Sequence, residues 1–265
     1  MKRNFSTEFV FQVFSLIIAV IIVHAVYVSV IRPRAAEYQE EQRILLAQNP
    51  DYVPERSFYV IMKDLEQESC VVLMFWAFAI MGYKAWLAAR ERSLLDRELL
   101  PVAEGVRILP GDTREYARQL EALPAEQRSL LLPRVLLSAL QRFGATGSIQ
   151  DVSSSARTLV ETEGERLESE LSMVRYIAWA IPSIGFIGTV RGIGAALGLA
   201  YQAVDGDISG VTDSLGIAFN STFIALLISI VLMFLVHQLQ LLQERLVFDT
   251  EAYLDQNLIR HLQAG

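Results

Sequence analysis

The chain contains a single cysteine, Cys70, among its 265 residues. One cysteine excludes an internal disulfide and every metal or redox motif that needs several cysteines. Its position at the start of an apolar run favours a buried thiol that packs as a small hydrophobic side chain. The sequence also lacks a long basic tract and carries a net charge of −7. We therefore expect no nucleic acid among its partners.

Sequence patterns of catalysis and cofactor binding are missing as well. Nothing resembles a hydrolase nucleophile elbow, a Walker loop, a metal-ligand cluster or a paired-carboxylate site. Gly192, Gly194 and Gly198 are similar to a dinucleotide-binding loop only in part, because their spacing differs and no strand precedes them. The sequence therefore predicts neither an enzyme nor a bound cofactor or metal ion.

Long hydrophobic runs are what the sequence has in abundance. Hydrophobic residues make up 52% of it and its mean hydropathy is +0.34, which is unusual for a soluble domain. A membrane span needs about 20 mostly apolar residues. Four runs qualify and are predicted spans: 9–31, 70–89, 176–203 and 214–242. For the third, a buried core helix of a soluble protein is the alternative.

Basic residues at the ends of the spans indicate orientation. The first run is longer than the hydrophobic region of a signal peptide, about 7–15 residues, so we interpret it as an uncleaved anchor. The positive-inside rule favours a cytoplasmic location both before the first span and after the second, although two arginines after the first span oppose it. The residues concerned are Lys2 and Arg3, then Arg90, Arg92 and Arg97, and on the opposing side Arg32 and Arg34.

These features predict an all-α membrane protein with both termini in the cytoplasm. The two largest soluble parts are a periplasmic segment and a cytoplasmic insert that proline and glycine divide into short helices. Within the insert, apolar spacing predicts a helix over 125–143, and a long helix from Ile149 leads into the third span. The predicted parts are 1–31 (N-terminus and first span), 32–68 (periplasmic segment), 69–90 (second span), 91–173 (cytoplasmic insert), 174–242 (third and fourth spans) and 243–265 (amphipathic C-terminal helix).

The third span contains an unusual number of small residues. Small or apolar residues recur at three- and four-residue intervals on one helical face, namely Gly185, Gly188, Gly192, Ala195 and Leu199. The pairs Gly188/Gly192 and Gly194/Gly198 both have the small-xxx-small spacing, which in lipid lets neighbouring backbones approach closely. The face can serve tight packing within one subunit or an interface between subunits. Pro182 should kink or restart the helix, because it lacks a backbone donor. The packing residues predicted here are Pro182, Gly185, Gly188, Gly192, Gly194 and Gly198.

Polar residues in the third and fourth spans fall at similar depths. At 1.5 Å per residue, Thr189 and Thr222 differ in depth by about 5 Å, so their hydroxyls either share a narrow cavity or bond to carbonyls of their own helices. An arginine at mid-span costs about 2.5–3.5 kcal/mol, so Arg191 needs a partner or water. Asn220 and Ser221 lie at its level, and we predict a structural or gating contact with them.

Two segments resemble a known family. The stretch from Pro182 to Gly192 resembles the P-x-x-G-x-x-G-T-V-x-G signature of the MotA/TolQ/ExbB proton channel family, and 214–227 is similar to that family's last span. The resemblance covers roughly 175–242. Two positions depart from the ExbB-like pattern, since Ile217 replaces a frequent glutamate and Arg191 replaces a frequent tryptophan.

The resemblance implies a stator subunit of the bacterial inner membrane that is driven by proton motive force. Five copies would surround two helices of an ExbD-, TolR- or MotB-like single-span partner, which supplies a membrane aspartate, and lipid would surround the ring. On this analogy Thr189 and Thr222 line the pore. The alternatives are a non-conducting membrane scaffold and a family branch specialised for defence or surface motility. Whether H⁺ or Na⁺ moves stays open.

Overall fold

The computed structural model describes residues 4–49, 52, 55, 57–102, 105–204 and 206–263. Within these ranges the secondary structure is helical and contains no strand, apart from one isolated bridge between Ile108 and Leu262. The predicted all-α class is confirmed. Lys2 and Arg3, on which part of the predicted orientation depends, lie outside the described residues.

The helices follow one another closely along the chain. A five-residue π-helical segment, Tyr27–Ile31, joins the first two, and a 3₁₀ turn, Ile259–His261, follows the last. The α-helices are α1 Asn4–Val26, α2 Arg32–Gln48, α3 Phe58–Met62, α4 Leu65–Leu95, α5 Thr113–Glu121, α6 Ala125–Arg128, α7 Leu131–Thr146, α8 Ile149–Glu170, α9 Ser172–Gly198, α10 Ala200–Val204 and α11 Ser209–Asn257.

Four helical stretches of the described residues are long and apolar enough to cross a membrane, which confirms the predicted four spans. Helices suit this environment because each one satisfies its own backbone hydrogen bonds where water is absent. The stretches extend beyond the apolar runs seen in the sequence. They comprise Glu8–Gln48, Leu65–Leu95, Ile149–Gly198 and Ser209–His261.

The chain forms two compact units. Unit 1 consists of 1–81 with 173–236, and unit 2 consists of 82–172 with 237–265. In unit 1, Val23 of α1 and Tyr27 of the π-helical segment belong to a small hydrophobic cluster, and Val71 and Val72 of α4 pack against it. The Trp76 indole Nε1 also donates a hydrogen bond of 2.9 Å to the Gln12 carbonyl.

The π-helical segment changes the angular position of the residues that follow it. In a regular α-helix, His24 and Arg32 would point about 80° apart, and the extra residue of a π turn reduces the difference to about 20°. Both side chains reach Glu68 of α4, with His24 Nδ1 2.7 Å from one carboxylate oxygen and Arg32 Nη2 2.5 Å from the other. The π segment thus aligns two side chains on one acidic group.

Unit 2 has a hydrophobic core built from α5, α7 and α8, with Phe143, Leu140 and Val152 fully buried. Leu254 at the end of α11 and Leu258 directly after it belong to this core, as expected for an amphipathic C-terminal helix. Inside the same unit, Lys84 is only 3% exposed and its ammonium lies 2.6 Å from a Glu170 carboxylate oxygen.

One prediction about helix boundaries was wrong. The single helix expected over 125–143 is divided into α6 and α7, which are separated at Ser129 and Leu130. Pro133 explains the break, because proline fits the first turn of α7 but clashes with the residue four positions earlier in a continuous helix. Pro182 does not restart the third span, since it lies inside the unbroken helix α9.

Candidate functional site: the third and fourth membrane helices

Three of the predicted glycines hold α9 against α11. A Cβ atom added at Gly185 would lie 2.5 Å from the Ala225 Cβ, and one at Gly188 would lie 2.5 Å from the Ser221 Cβ. Gly192 is equally enclosed. These separations are far below van der Waals contact, so the two helices approach this closely only because α9 has no side chains here. Gly185, Gly188 and Gly192 therefore pack against α11 of the same subunit.

Gly194 and Gly198 have a different environment. Nothing lies within 4 Å of a Cβ atom added at either position. Their four-residue spacing is the small-xxx-small pattern that favours close helix contact in membranes. They leave a shallow strip on α9 that no described residue covers. This strip is the part of α9 where a contact with another subunit remains the prediction.

Pro182 removes the donor that would normally bond to the Ala178 carbonyl, four residues earlier on α9. The Ser229 hydroxyl of α11 donates a hydrogen bond of 3.0 Å to this carbonyl. The side chain of the neighbouring helix thereby replaces the missing backbone N–H, and this replacement explains why α9 continues past the proline. Sequence reasoning did not identify Ser229.

Thr189 and Thr222 meet between the two helices. Their hydroxyl oxygens are in direct hydrogen-bond contact. The Thr222 hydroxyl also lies 3.0 Å from the Gly185 carbonyl of α9, and the Thr189 hydroxyl 3.0 Å from the Ala218 carbonyl of α11. Because each hydroxyl carries one hydrogen, the pair cannot donate in every one of these contacts at once. The site thus contains four oxygen atoms, two from hydroxyls and two from carbonyls, but only two hydrogens that these hydroxyls can donate.

Arg191 has a partner that sequence reasoning missed. Its Nη2 donates a hydrogen bond of 2.8 Å to Glu66 Oε2 at the start of α4. The predicted acceptors are placed otherwise. Ser221 is 1% exposed and donates its hydroxyl to the Ile217 carbonyl of its own helix, while Asn220 is partly buried on α11.

Glu66 escaped notice because the second span was assigned from its apolar residues alone, starting at Cys70. Helix α4 starts five residues earlier, at Leu65, and has Glu66 and Glu68 in its first turn. The helix dipole favours acidic residues in the first turn of a helix. The two glutamates just before the apolar run, Glu66 and Glu68, were therefore the available signal that the helix starts earlier.

Two acidic groups outside the spans have shifted pKa values. Burial, together with the negative charge of Glu66, raises the pKa of the Asp64 carboxyl. Hydrogen bonds from the Ser209 hydroxyl and backbone N–H lower the pKa of Asp207 just before α11. No group of three or more His, Cys, Asp or Glu side chains among the described residues could hold a metal ion.

The helix pair α9 and α11 lies in a segment that matches a known protein family. The model of the MotA/TolQ/ExbB proton channel family matches residues 127–252, a segment that includes α9 and most of α11. Residues 127–252 thus form a domain of that family, and the resemblance drawn from the glycine–threonine motif is confirmed. Searches of the curated proteins and of the solved structures each gave no match.

The family match and the four apolar helices together support a multi-pass membrane protein. Proteins of this family are associated with channels and transport.

Proposed function

We propose that this chain is an ion-channel subunit of a membrane stator, which couples the flow of protons or sodium ions to mechanical work. It would lie in the bacterial inner membrane with both termini in the cytoplasm. Unit 2 would be the cytoplasmic part that passes on the movement. The family match over the third and fourth spans supports this assignment.

The observation that carries the proposal is the contact between Thr189 and Thr222. Their hydroxyls and the carbonyls of Gly185 and Ala218 form a group of oxygens between α9 and α11. Oxygen ligands suit hard cations and can accept a hydrogen bond from a protonated carboxyl group. Both threonines are partly exposed, so we propose that they line the ion path.

The moving carboxylate would come from a partner. The family works with single-span proteins of the ExbD, TolR and MotB type. By analogy, we propose five copies of this chain around two helices of such a protein, each with a membrane aspartate. The uncovered strip at Gly194 and Gly198 offers a close-contact surface for neighbouring copies.

A non-conducting scaffold is the second candidate, and one observation favours it. The threonine hydroxyls already have hydrogen-bond partners within the chain, so they could act as links between helices without conducting an ion. The two candidates differ in whether a partner with a membrane carboxylate is present.

Native mass spectrometry of the complex purified from membranes of the native host tests the proposal. The full chain with an affinity tag should be recovered as five copies with two copies of a single-span protein that has a membrane aspartate. A stable assembly without any single-span partner would contradict the stator and leave the scaffold.

A further inference from the structure

A carboxylate of this chain lies at the level of the proposed ion path. Glu66 is 8% exposed, and its Cγ atom would stand 3.0 Å from a Cβ atom added at Gly188. Gly188 precedes Thr189 directly, so Glu66 reaches the level of the threonine pair although it belongs to the first turn of α4. Ser221 of α11 encloses the same glycine, which places the Glu66 stem against both channel helices.

Arg191 supplies the positive charge at this level. Its side chain is 51% exposed, and its guanidinium contacts Glu66 through one nitrogen, at 2.8 Å. On an α-helix, positions 189 and 191 point about 200° apart. The ion pair therefore holds the guanidinium on the side of α9 that faces away from the threonine pair.

The charge of Arg191 matters for any cation that passes Thr189 and Thr222. A unit charge roughly 10 Å away, at an effective dielectric constant of about 20, changes the occupancy of a cation site by roughly tenfold or more. A neutral ion pair cancels most of this effect. An arginine without its carboxylate would repel the cation that the proposed path must admit.

We propose that Glu66 is a positioning residue of the ion path, which neutralises Arg191 and holds its guanidinium away from the Thr189–Thr222 pair. This inference rests on the proposed function, because it concerns cation passage through the same site. It assigns to α4 a direct part in permeation, and it explains how an arginine is tolerated within the channel helix.

Cation flux in vesicles that contain the purified complex tests this inference. In E66Q, Arg191 loses the carboxylate that is bonded to it, so flux should fall at least tenfold while the assembly stays intact. In R191Q only the negative charge remains and attracts cations, so flux should be no lower than in wild type. The double variant E66Q/R191Q should recover to within about threefold of wild type. The matched control is E161Q, which breaks an exposed ion pair with Arg157 in unit 2.

The direction in which flux changes in each single variant separates an electrostatic effect of the ion pair from a purely structural one. If E66Q and R191Q lost flux equally, the pair would act only as a link between helices and the inference would be overturned. Wild-type flux in E66Q would overturn it as well. Should E66Q fail to assemble, a marked loss of flux in R191Q or in the double variant would overturn the inference. A wild-type complex that conducts no cation would instead contradict the proposed function itself.

Discussion

Gly192 of α9 and Ala218 of α11 lie so close that a Cβ atom added to the glycine would stand 2.7 Å from the alanine Cβ. It would also stand 2.8 Å from the Ala218 backbone nitrogen. A flexible side chain can move away from such a contact, but a backbone atom of a packed helix cannot. Glycine at position 192 therefore sets the distance between the two helices that bear the threonine pair.

Gly192→Ala should destabilise the protein, because the added methyl group forces α9 and α11 apart. Overpacking of this kind typically costs about 1–3 kcal/mol. Thermal unfolding of the purified full chain in detergent measures the effect as a lower Tm. Gly194→Ala, two residues away, is the matched control because nothing lies within 4 Å of its added Cβ atom.

The control variant also reports on assembly. Unit 1 should keep its stability in Gly194→Ala, since alanine is the better helix former. If positions 194 and 198 face a neighbouring copy, the same variant should weaken the oligomer while leaving the subunit folded. Equal loss of subunit stability in both glycine variants would show that the close approach at Gly192 is not what matters.

Ser229→Ala should destabilise the packing of α9 on α11. It leaves the Ala178 carbonyl, which Pro182 deprives of its backbone donor, without the Ser229 hydroxyl. Measured hydrogen bonds between membrane helices are worth about 0.6 kcal/mol on average and up to about 1.7 kcal/mol. Ser183→Ala is the control, because that hydroxyl only bonds to the Trp179 carbonyl of its own helix.

A double-variant cycle makes this prediction specific. In a Pro182→Ala background the backbone N–H of residue 182 can bond to the Ala178 carbonyl, so Ser229→Ala should then have little further effect on Tm. Additive losses in the double variant would mean that Ser229 stabilises the helix pair in another way.

Glu170→Gln should destabilise unit 2 strongly. Lys84 is 3% exposed, and the substitution removes the carboxylate 2.6 Å from its ammonium. Breaking a fully buried ion pair by removing one partner costs roughly 3 kcal/mol. Since the Glu170 side chain is 22% exposed, the expected cost lies below that value. Glu161→Gln, in the exposed pair with Arg157, should cost less than about 1 kcal/mol. Similar unfolding temperatures for the two variants would disprove a structural requirement for the buried pair.

Local sequence patterns predicted the helical architecture well. Four apolar runs gave the four spans, because the hydrocarbon core of a bilayer requires about 20 consecutive, mostly apolar residues in each spanning helix. The similar depths of Thr189 and Thr222 followed from counting residues along two helices. Their direct contact required in addition that α9 and α11 be neighbours, which the glycine face of α9 did not decide, because it fitted an interface between subunits equally well.

Contacts between distant parts of the chain could not be predicted in this way. Arg191 and Glu66 are 125 positions apart, and the sequence around either residue does not indicate that the other is its partner. The continuity of α9 through Pro182 depends on Ser229, a residue of another helix. A single sequence shows that a buried or membrane residue needs a partner, as Arg191 does. It does not show which distant residue that partner is.

Cation flux through the purified complex in vesicles tests the central claim most directly. The variant Thr189→Val/Thr222→Val keeps the shape of both side chains and removes both hydroxyls. We predict that it assembles like wild type and loses most of the flux. Thr212→Val on the same helix α11, where the hydroxyl bonds only to nearby carbonyls of its own chain segment, should conduct normally. Undiminished flux in the double valine variant, or no flux in wild type, would contradict the account.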